Sequence, residues 1–325
     1  MLAFVAAGSV RADETTLLFA TNGPPDTHVS VRVFHPWADH VNEVGKGILK
    51  LDVRDGMTIV NPTNFYNRVL DDVVQLSWGS IGPLTGTFAL LQFASLPFQA
   101  DRAEDASVAF WRLYKSGLLD SEFKDVVPLM VTLYPQGQVH LTKPPKSIDT
   151  LAGLRIMVVS KPAGAFVTLL GGSPSSFGLS EVYQALQRGT VDGLVISWTA
   201  FQPYRLSEVT TYHYETQFGA STGMVFMARK RYDALPPEAR KIIDDNSGEA
   251  ITRALGKAWD DAAEEAHQAA MADAKQTVVA PTPEQMAKWQ QIAAPLTAEW
   301  IASTPGGDKV LEKFRALLAD VRAGK

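Results

Sequence analysis

The chain contains no cysteine. It therefore has no disulfide, no cysteine nucleophile and no thiolate metal ligand. Such a composition fits an oxidising compartment, where stray thiols mispair. A basic excess is also missing: 30 Lys and Arg stand against 35 Asp and Glu, a formal net charge of −5. That excludes a general nucleic-acid binder, which needs positive charge to displace the counterions of phosphate. No apolar run reaches the ~20 residues of a membrane-spanning helix. There is no 20–50-residue repeat and no low-complexity tract.

Short motifs that carry their own chemistry are absent too. No G-x-G-x-x-G follows an expected strand and no G-x-x-x-x-G-K-[ST] occurs; Gly45-Lys46-Gly47 is too short to cradle a phosphate. Gly79-Ser80-Ile81-Gly82 has the wrong spacing for a G-x-S-x-G nucleophile turn. None of the six histidines forms H-x-x-x-H. His35 and His40 lie five apart, which turns them to different faces of a helix. Asp71-Asp72 and Asp260-Asp261 are neighbours on expected helices and read as solvated charge. A Ser/His/Asp triad assembled from distant residues is the one catalytic device that spacing leaves open.

What is present is a chain of 325 residues, 46% of them apolar. That is enough for about two domains of ~150 residues, each with its own core. Leu2 to Val10 is a short apolar run that ends in Val10-Arg11-Ala12 and then turns acidic. Small or apolar residues at −3 and −1 make 1–12 the expected remnant of a signal peptide, with export to the periplasm.

Thr15 to Ala20 is the first expected strand, followed by the turn-rich loop Thr21 to His28. Phe34, Trp37, Ala38 and Val41 line one face of a helix, Ile48 to Val53 alternates as a strand, and a second helix holds Val69, Val73 and Val74. With a strand at Val74 to Trp78 this is β-α-β-α-β, which predicts a parallel sheet with right-handed crossovers. A helix follows at Val108 to Leu118. The same logic restarts near residue 126: strands at Val126 to Leu133, within Leu151 to Val159, and at Leu194 to Trp198, with helices between and Ser180 as the expected cap of Glu181 to Gln187. Met224 to Ala228 is a further strand. Leu235-Pro-Pro-Glu238 opens a long helix expected to reach Lys275. Thr282-Pro283-Glu284-Gln285 is a capping-box start, and Lys309 to Val321 is the last helix.

Residues 151 to 193 carry a resemblance. Leu151-Ala-Gly-Leu-Arg-Ile-Met157, Leu170-Gly-Gly-Ser-Pro174, Ser180-Glu-Val-Tyr-Gln-Ala-Leu-Gln187 and Gly189-Thr-Val-Asp-Gly193 resemble the "L-x-G-L-K-I-R", "L-G-A-x-P" and "S-E-V-Y-x-A-L-Q-x-G-x-V-D-G" runs of the solute-binding proteins of TRAP transporters, the DctP family. Leu96-Pro97-Phe98, Tyr212-His213 and Leu235-Pro-Pro-Glu-Ala-Arg240 resemble other family segments in the same order. The resemblance implies a two-lobed α/β clamshell with hinge strands and a long connecting helix. Lobe I is expected over 13–134 plus 222–260. Lobe II and the C-terminal helices are expected over 135–221 plus 261–325. It implies no enzyme and no cofactor, but a monomer that closes on a small organic acid and delivers it to the TRAP membrane permease subunits.

The departures from the pattern narrow the ligand. The family's carboxylate-forking Arg corresponds to Met157, its ligand-reaching Asn to Ile196, and a second Arg to Val139. A bidentate Arg–carboxylate contact is strong and directional, so its loss moves the charge elsewhere or removes it. Arg155, Lys161, Arg205 and His28 are the candidate cations. Trp78, Phe177, Trp198 and Tyr214 fall at or near segments that line the family's cleft, Gln138 is counted with them, and the loop from Asn22 to His28 is expected to add polar contacts. The expected guest is an organic acid with a bulky apolar or aromatic part. Two alternatives stay open: a neutral ligand such as a lactone, ester or amide, and a secreted two-domain hydrolase, which would need a nucleophile–base pair in the cleft.

Overall fold

The computed structural model describes residues 14–325; the expected signal remnant, 1–12, lies outside the described residues. The chain runs β1 (Thr15–Thr21), α1 (His35–Val44), β2 (Leu49–Arg54), α2 (Phe65–Leu70), β3 (Leu76–Ser80), α3 (Ala103–Lys115), β4 (Val126–Leu133), β5 (Gln138–Leu141), β6 (Arg155–Met157), α4 (Lys161–Leu169), β7 (Ser173–Ser175), α5 (Val182–Gln187), β8 (Gly193–Ile196), α6 (Phe201–Tyr204), β9 (Tyr212–Tyr214), β10 (Thr222–Ala228), α7 (Arg229–Asp233), α8 (Pro237–Asp245), α9 (Glu249–Ala272), β11 (Thr277–Val279), α10 (Pro283–Ser303) and α11 (Gly307–Arg322). A π-helical turn over Ser30–Phe34 leads into α1.

Two sheets divide the strands. The first has the order β2-β1-β3-β10-β4 and the second β11-β9-β5-β8-β6-β7. β1, β2 and β3 are parallel, as the β-α-β-α-β reading predicts, and β10 enters antiparallel between β3 and β4. Alternation along β1 sends Leu17 and Phe19 to one face, against Phe34, Trp37 and Val41, and Ala20 to the other. Each sheet is thus covered on both faces, the arrangement expected where parallel strands are joined by helices.

Backbone crosses between the lobes in four places. The connectors Tyr134–Gly137 and Glu215–Ser221 run side by side, with Tyr134 N–H donating to Ser221 O at 2.9 Å and Gly137 N–H to Gly219 O at 2.8 Å. Gly219 has φ +95, and a Cβ there would meet Ser95 O at 2.2 Å, so only glycine fits this hinge. The third crossing is α9. Its Leu255 and Ala258 pack into the first lobe, and its Ala270 packs into the second. At 24 residues it is about 36 Å long, enough to span both. The fourth joins α10, on the second lobe through Trp289, to α11. Phe314 of α11 packs 4.5 Å from Phe93, and Arg112 Nη1 donates to Lys325 O at 2.6 Å. The expectation placed the C-terminal helices with the second lobe; α11 packs on α3 of the first.

Other local expectations are corrected. The helix foreseen from Leu235 to Lys275 is two helices, α8 and α9, broken at Gly248, where φ is +104 and the N–H donates to Leu129 O at 2.8 Å. The helix foreseen through Val74 ends at Leu70. Ser180 does not cap α5; it lies inside a 3-10 turn, Leu179–Glu181. Asp260 is not free surface charge: its carboxylate accepts from Ala103 N–H (2.8 Å) and Glu104 N–H (3.0 Å), closing the start of α3. The capping box at Thr282 and Gln285 is present as read.

Candidate functional site

Several of the expected site residues share one face of the second sheet, packed beneath α5, α6 and α9. Strand register sets Met157 beside Leu194, Leu194 beside His140 and His140 beside His213, a row that crosses β6, β8, β5 and β9. Two residues further along, Ile196 pairs with Gln138. Met157 is fully buried and shares an apolar cluster with Val182, Leu186, Ile196, Trp198 and Phe201; Phe177 packs against it, half-buried. The Trp198 ring covers the row, 4.7 Å from His140 and 4.8 Å from His213, centroid to centroid. The Trp198 Nε1 donor and the Gln138 Oε1 acceptor are buried without a partner among the described residues. Polar atoms left in that condition are costly unless something completes them.

Not every expected residue shares this face. Val139 pairs with Tyr214 and points the other way, into the core around Phe166 and Trp289. Tyr214 accordingly packs 5.2 Å from Trp289, on the α10 side. Two of the three apolar replacements, Met157 and Ile196, therefore bear on one surface, and the third does not.

The candidate cations separate as well. Arg155 is half exposed and donates from Nε and Nη2 to both oxygens of Asp192, at 3.0 and 2.9 Å. Asp192 also accepts from Arg155 N–H, so the pair latches β6 to the start of β8, and the guanidinium holds the Asp192 carboxyl below its usual range. The V-D-G motif is thereby explained as scaffold: a Cβ on Gly193 would meet His140 O at 2.4 Å. Arg205 is taken by Glu208 at 2.7 Å. Lys161 is exposed at the start of α4. His28 lies half-buried, 3.7 Å from Glu265 of α9, which also holds Arg32 at 2.7 Å.

On the first lobe, Trp78 belongs to a buried aromatic cluster, and the loop after β1 is braced. Trp78 of β3 stacks on Trp259 of α9 with centroids 6.2 Å apart, and Tyr134 approaches Trp259 at 4.6 Å. Gly223 makes room for them, since a Cβ there would lie 2.9 Å from Trp78. The loop after β1, which carries Asn22 and His28, is fixed by Asp55. That carboxylate accepts from Thr21 Oγ1 (2.6 Å) and Ser30 Oγ (3.2 Å) and contacts His35 Nε2 (2.6 Å). Trp259, Tyr134, His140 and His267 were not singled out from the sequence, and His213 entered only as part of a resembling segment. Pairing across strands dozens of residues apart leaves no local signal of their convergence.

Among the described residues, no group of three or more His, Asp or Glu side chains is placed to hold a metal ion, and no helix is long and apolar enough to cross a membrane.

Comparison with known proteins agrees with this architecture. The model of the family described as bacterial extracellular solute-binding protein, family 7 (DctP) matches residues 19–304. The chain is 27% identical over 325 residues to the outer membrane transporter protein TsaT of Comamonas testosteroni, covering 95% of this chain and 93% of that one. A TRAP solute-binding protein from Rhodoferax ferrireducens, solved with copurified benzoate, superposes with a TM-score of 0.86 at 28% identity, over 96% of this chain and 100% of that one. A marine-metagenome TRAP solute-binding protein specific for aromatic acid ligands, solved with 3-hydroxybenzoate, gives 0.87 at 25% identity, over 95% and 99%. A family match across most of the chain, joined to a shared fold from end to end, makes this protein a member of the DctP family of TRAP-transporter solute-binding proteins.

Proposed function

We propose that this protein captures a small aromatic carboxylate in the periplasm and presents it, as a monomer and without chemical change, to the TRAP membrane permease. The observation that carries this reading is the shared face of Met157, Ile196, Phe177 and Trp198, on which Met157 and Ile196 stand where the sequence resemblance puts the family's carboxylate-binding Arg and ligand-reaching Asn. Such a face gains from burying a ring and offers no fork to a second carboxylate. Trp78, with Trp259 and Tyr134, forms the matching aromatic cluster on the first lobe, and the braced loop holding Asn22 and His28 supplies polar groups at the rim. The benzoate and 3-hydroxybenzoate held by the two similar proteins support the same ligand class. Titration calorimetry with benzoate, 3-hydroxybenzoate, benzamide and malate tests it. Binding of the aromatic acids, with malate silent, is the expected result. Malate binding with the aromatic acids silent overturns the reading, and benzamide binding as tightly as benzoate replaces the acid by a neutral ligand. Incubation with aryl esters is expected to give no turnover.

A further inference from the structure

Beneath Trp198 lies a chain of contacts whose hydrogens do not add up for neutral groups. His140 Nε2 meets Ile196 O at 3.1 Å, His140 Nδ1 meets His213 Nδ1 at 2.9 Å, and His213 Nε2 meets Gln276 Oε1 at 2.8 Å. A backbone carbonyl only accepts. Gln276 presents its oxygen because its Nε2 donates to Ser207 O at 2.9 Å. Three contacts between two terminal acceptors need three hydrogens, and two neutral imidazoles carry two. One further proton completes the chain and makes the pair a cation. Both rings are fully buried, and burial pushes both imidazoles below their ordinary range. His267 of α9 adds to this at His213. Two carboxylates on the flanking elements lie against His267: Glu215, beyond β9, at 2.9 Å and Glu264 of α9 at 3.9 Å. The other neighbours, Met157, Leu194, Ile196, Trp198 and Phe201, bring no charge, and burial keeps the Tyr204 hydroxyl neutral. The structure thus contains a buried site shaped for a proton and lacking the negative charge that would hold it there.

Resting on the aromatic-acid reading above, we infer that the His140–His213 pair takes up one proton from solvent when the ligand carboxylate enters, and so supplies the positive charge that Met157, in the family's Arg position, does not. Ile196, which belongs to the proposed ligand face, is joined to His140 through its own carbonyl, and Leu194 links His140 to Met157 in the same row. The charge therefore lies one side-chain layer below the guest. The pair acts by position and is not required to touch the ligand. The acid is captured together with its proton, and no net charge is buried.

Calorimetry of benzoate binding at one pH, in buffers of different ionisation enthalpy, reads the proton directly. Uptake of about 0.5–1 proton per ligand is expected, with affinity rising by up to about tenfold for each unit of falling pH across the titrating range. Benzoate binding with heats independent of buffer overturns the inference and leaves the aromatic-acid reading standing. Failure of every aromatic acid to bind overturns that reading and this one with it. Side-chain ¹⁵N spectra of the wild-type protein identify the carrier without any variant. Two buried imidazoles sharing three N–H protons only in the benzoate complex is the expected pattern, and an unchanged neutral pattern refutes it. H213Q should bind benzoate more weakly, by about tenfold, and without buffer dependence, whereas H267Q should keep both the affinity and the buffer dependence. Proton uptake that vanishes in H267Q assigns the proton to His267 and overturns the proposal.

Discussion

Met157 illustrates how one side chain sets the chemistry around it. It is wholly buried among Val182, Leu186 and Ile196, with no acidic group in the cluster. A guanidinium placed there would be an uncompensated buried charge. Met157→Arg is therefore expected to cost the free protein about 3–5 kcal/mol. A small dicarboxylate should recover part of that loss, while benzoate affinity falls. Thermal melts with and without malate check both halves, and a melting temperature unaffected by the substitution would mean that the residue is not enclosed. Glu122 makes a different case. Its Oε1 accepts from Leu90 N–H at 2.5 Å, its Oε2 is buried without a partner, and burial lifts its pKa from 4.5 to about 7. The folded state therefore keeps a proton that the unfolded chain releases. This contribution is fully present below about pH 4.5 and is lost as pH rises to about 7. Glu122→Gln, which preserves the acceptor and removes the charge, should raise the melting temperature at pH 8 by about 2–4 °C and leave it nearly unchanged at pH 4.5.

Among the elements, α9 and its start are the most exposed to single substitutions. Gly248 adopts φ +104 and ψ −150, a region closed to residues with a side chain, although a Cβ would meet only Trp111 at an ordinary 3.4 Å. Gly248→Ala should therefore destabilise through backbone strain alone, by about 1–3 kcal/mol, seen as a lower denaturation midpoint with an unchanged slope. The break at Gly248 has one local signal, the pair Ser247-Gly248, and the helix expected from Leu235 to Lys275 ran through it. The parallel half of the first sheet was readable because strands and helices alternate at full length there. β7, β9 and β11 are three residues each, too short to impose a period of two on the sequence. Met157, Ile196, Phe177 and Trp198 were named from their place in or near the resembling motifs, and they share one face of the second sheet. Tyr214 and Val139 take the opposite face, which strand register decides and the sequence alone does not display. Arg155 lies at the surface, paired with Asp192 of the V-D-G run.

At the scale of the whole molecule, binding should couple to shape. A ligand that touches both lobes is bound fully only when they meet, so it favours the closed form and the folded state together. Saturating benzoate, at about 100 times its dissociation constant, adds about 2.7 kcal/mol of stability, enough to move the melting midpoint by several degrees. Small-angle scattering should show a smaller radius of gyration in the same sample. A midpoint shift with no change in scattering would mean that the lobes are already shut without a guest.

The four crossings between lobes have one more consequence. α11 returns to α3 after α10 has left it for the opposite side, so the first lobe is assembled from both ends of the chain and its middle. No single cut yields a self-sufficient half. A cut between α10 and α11 removes a covering element from the lobe that was synthesised first, and newly made chain cannot finish that lobe until α11 has left the ribosome.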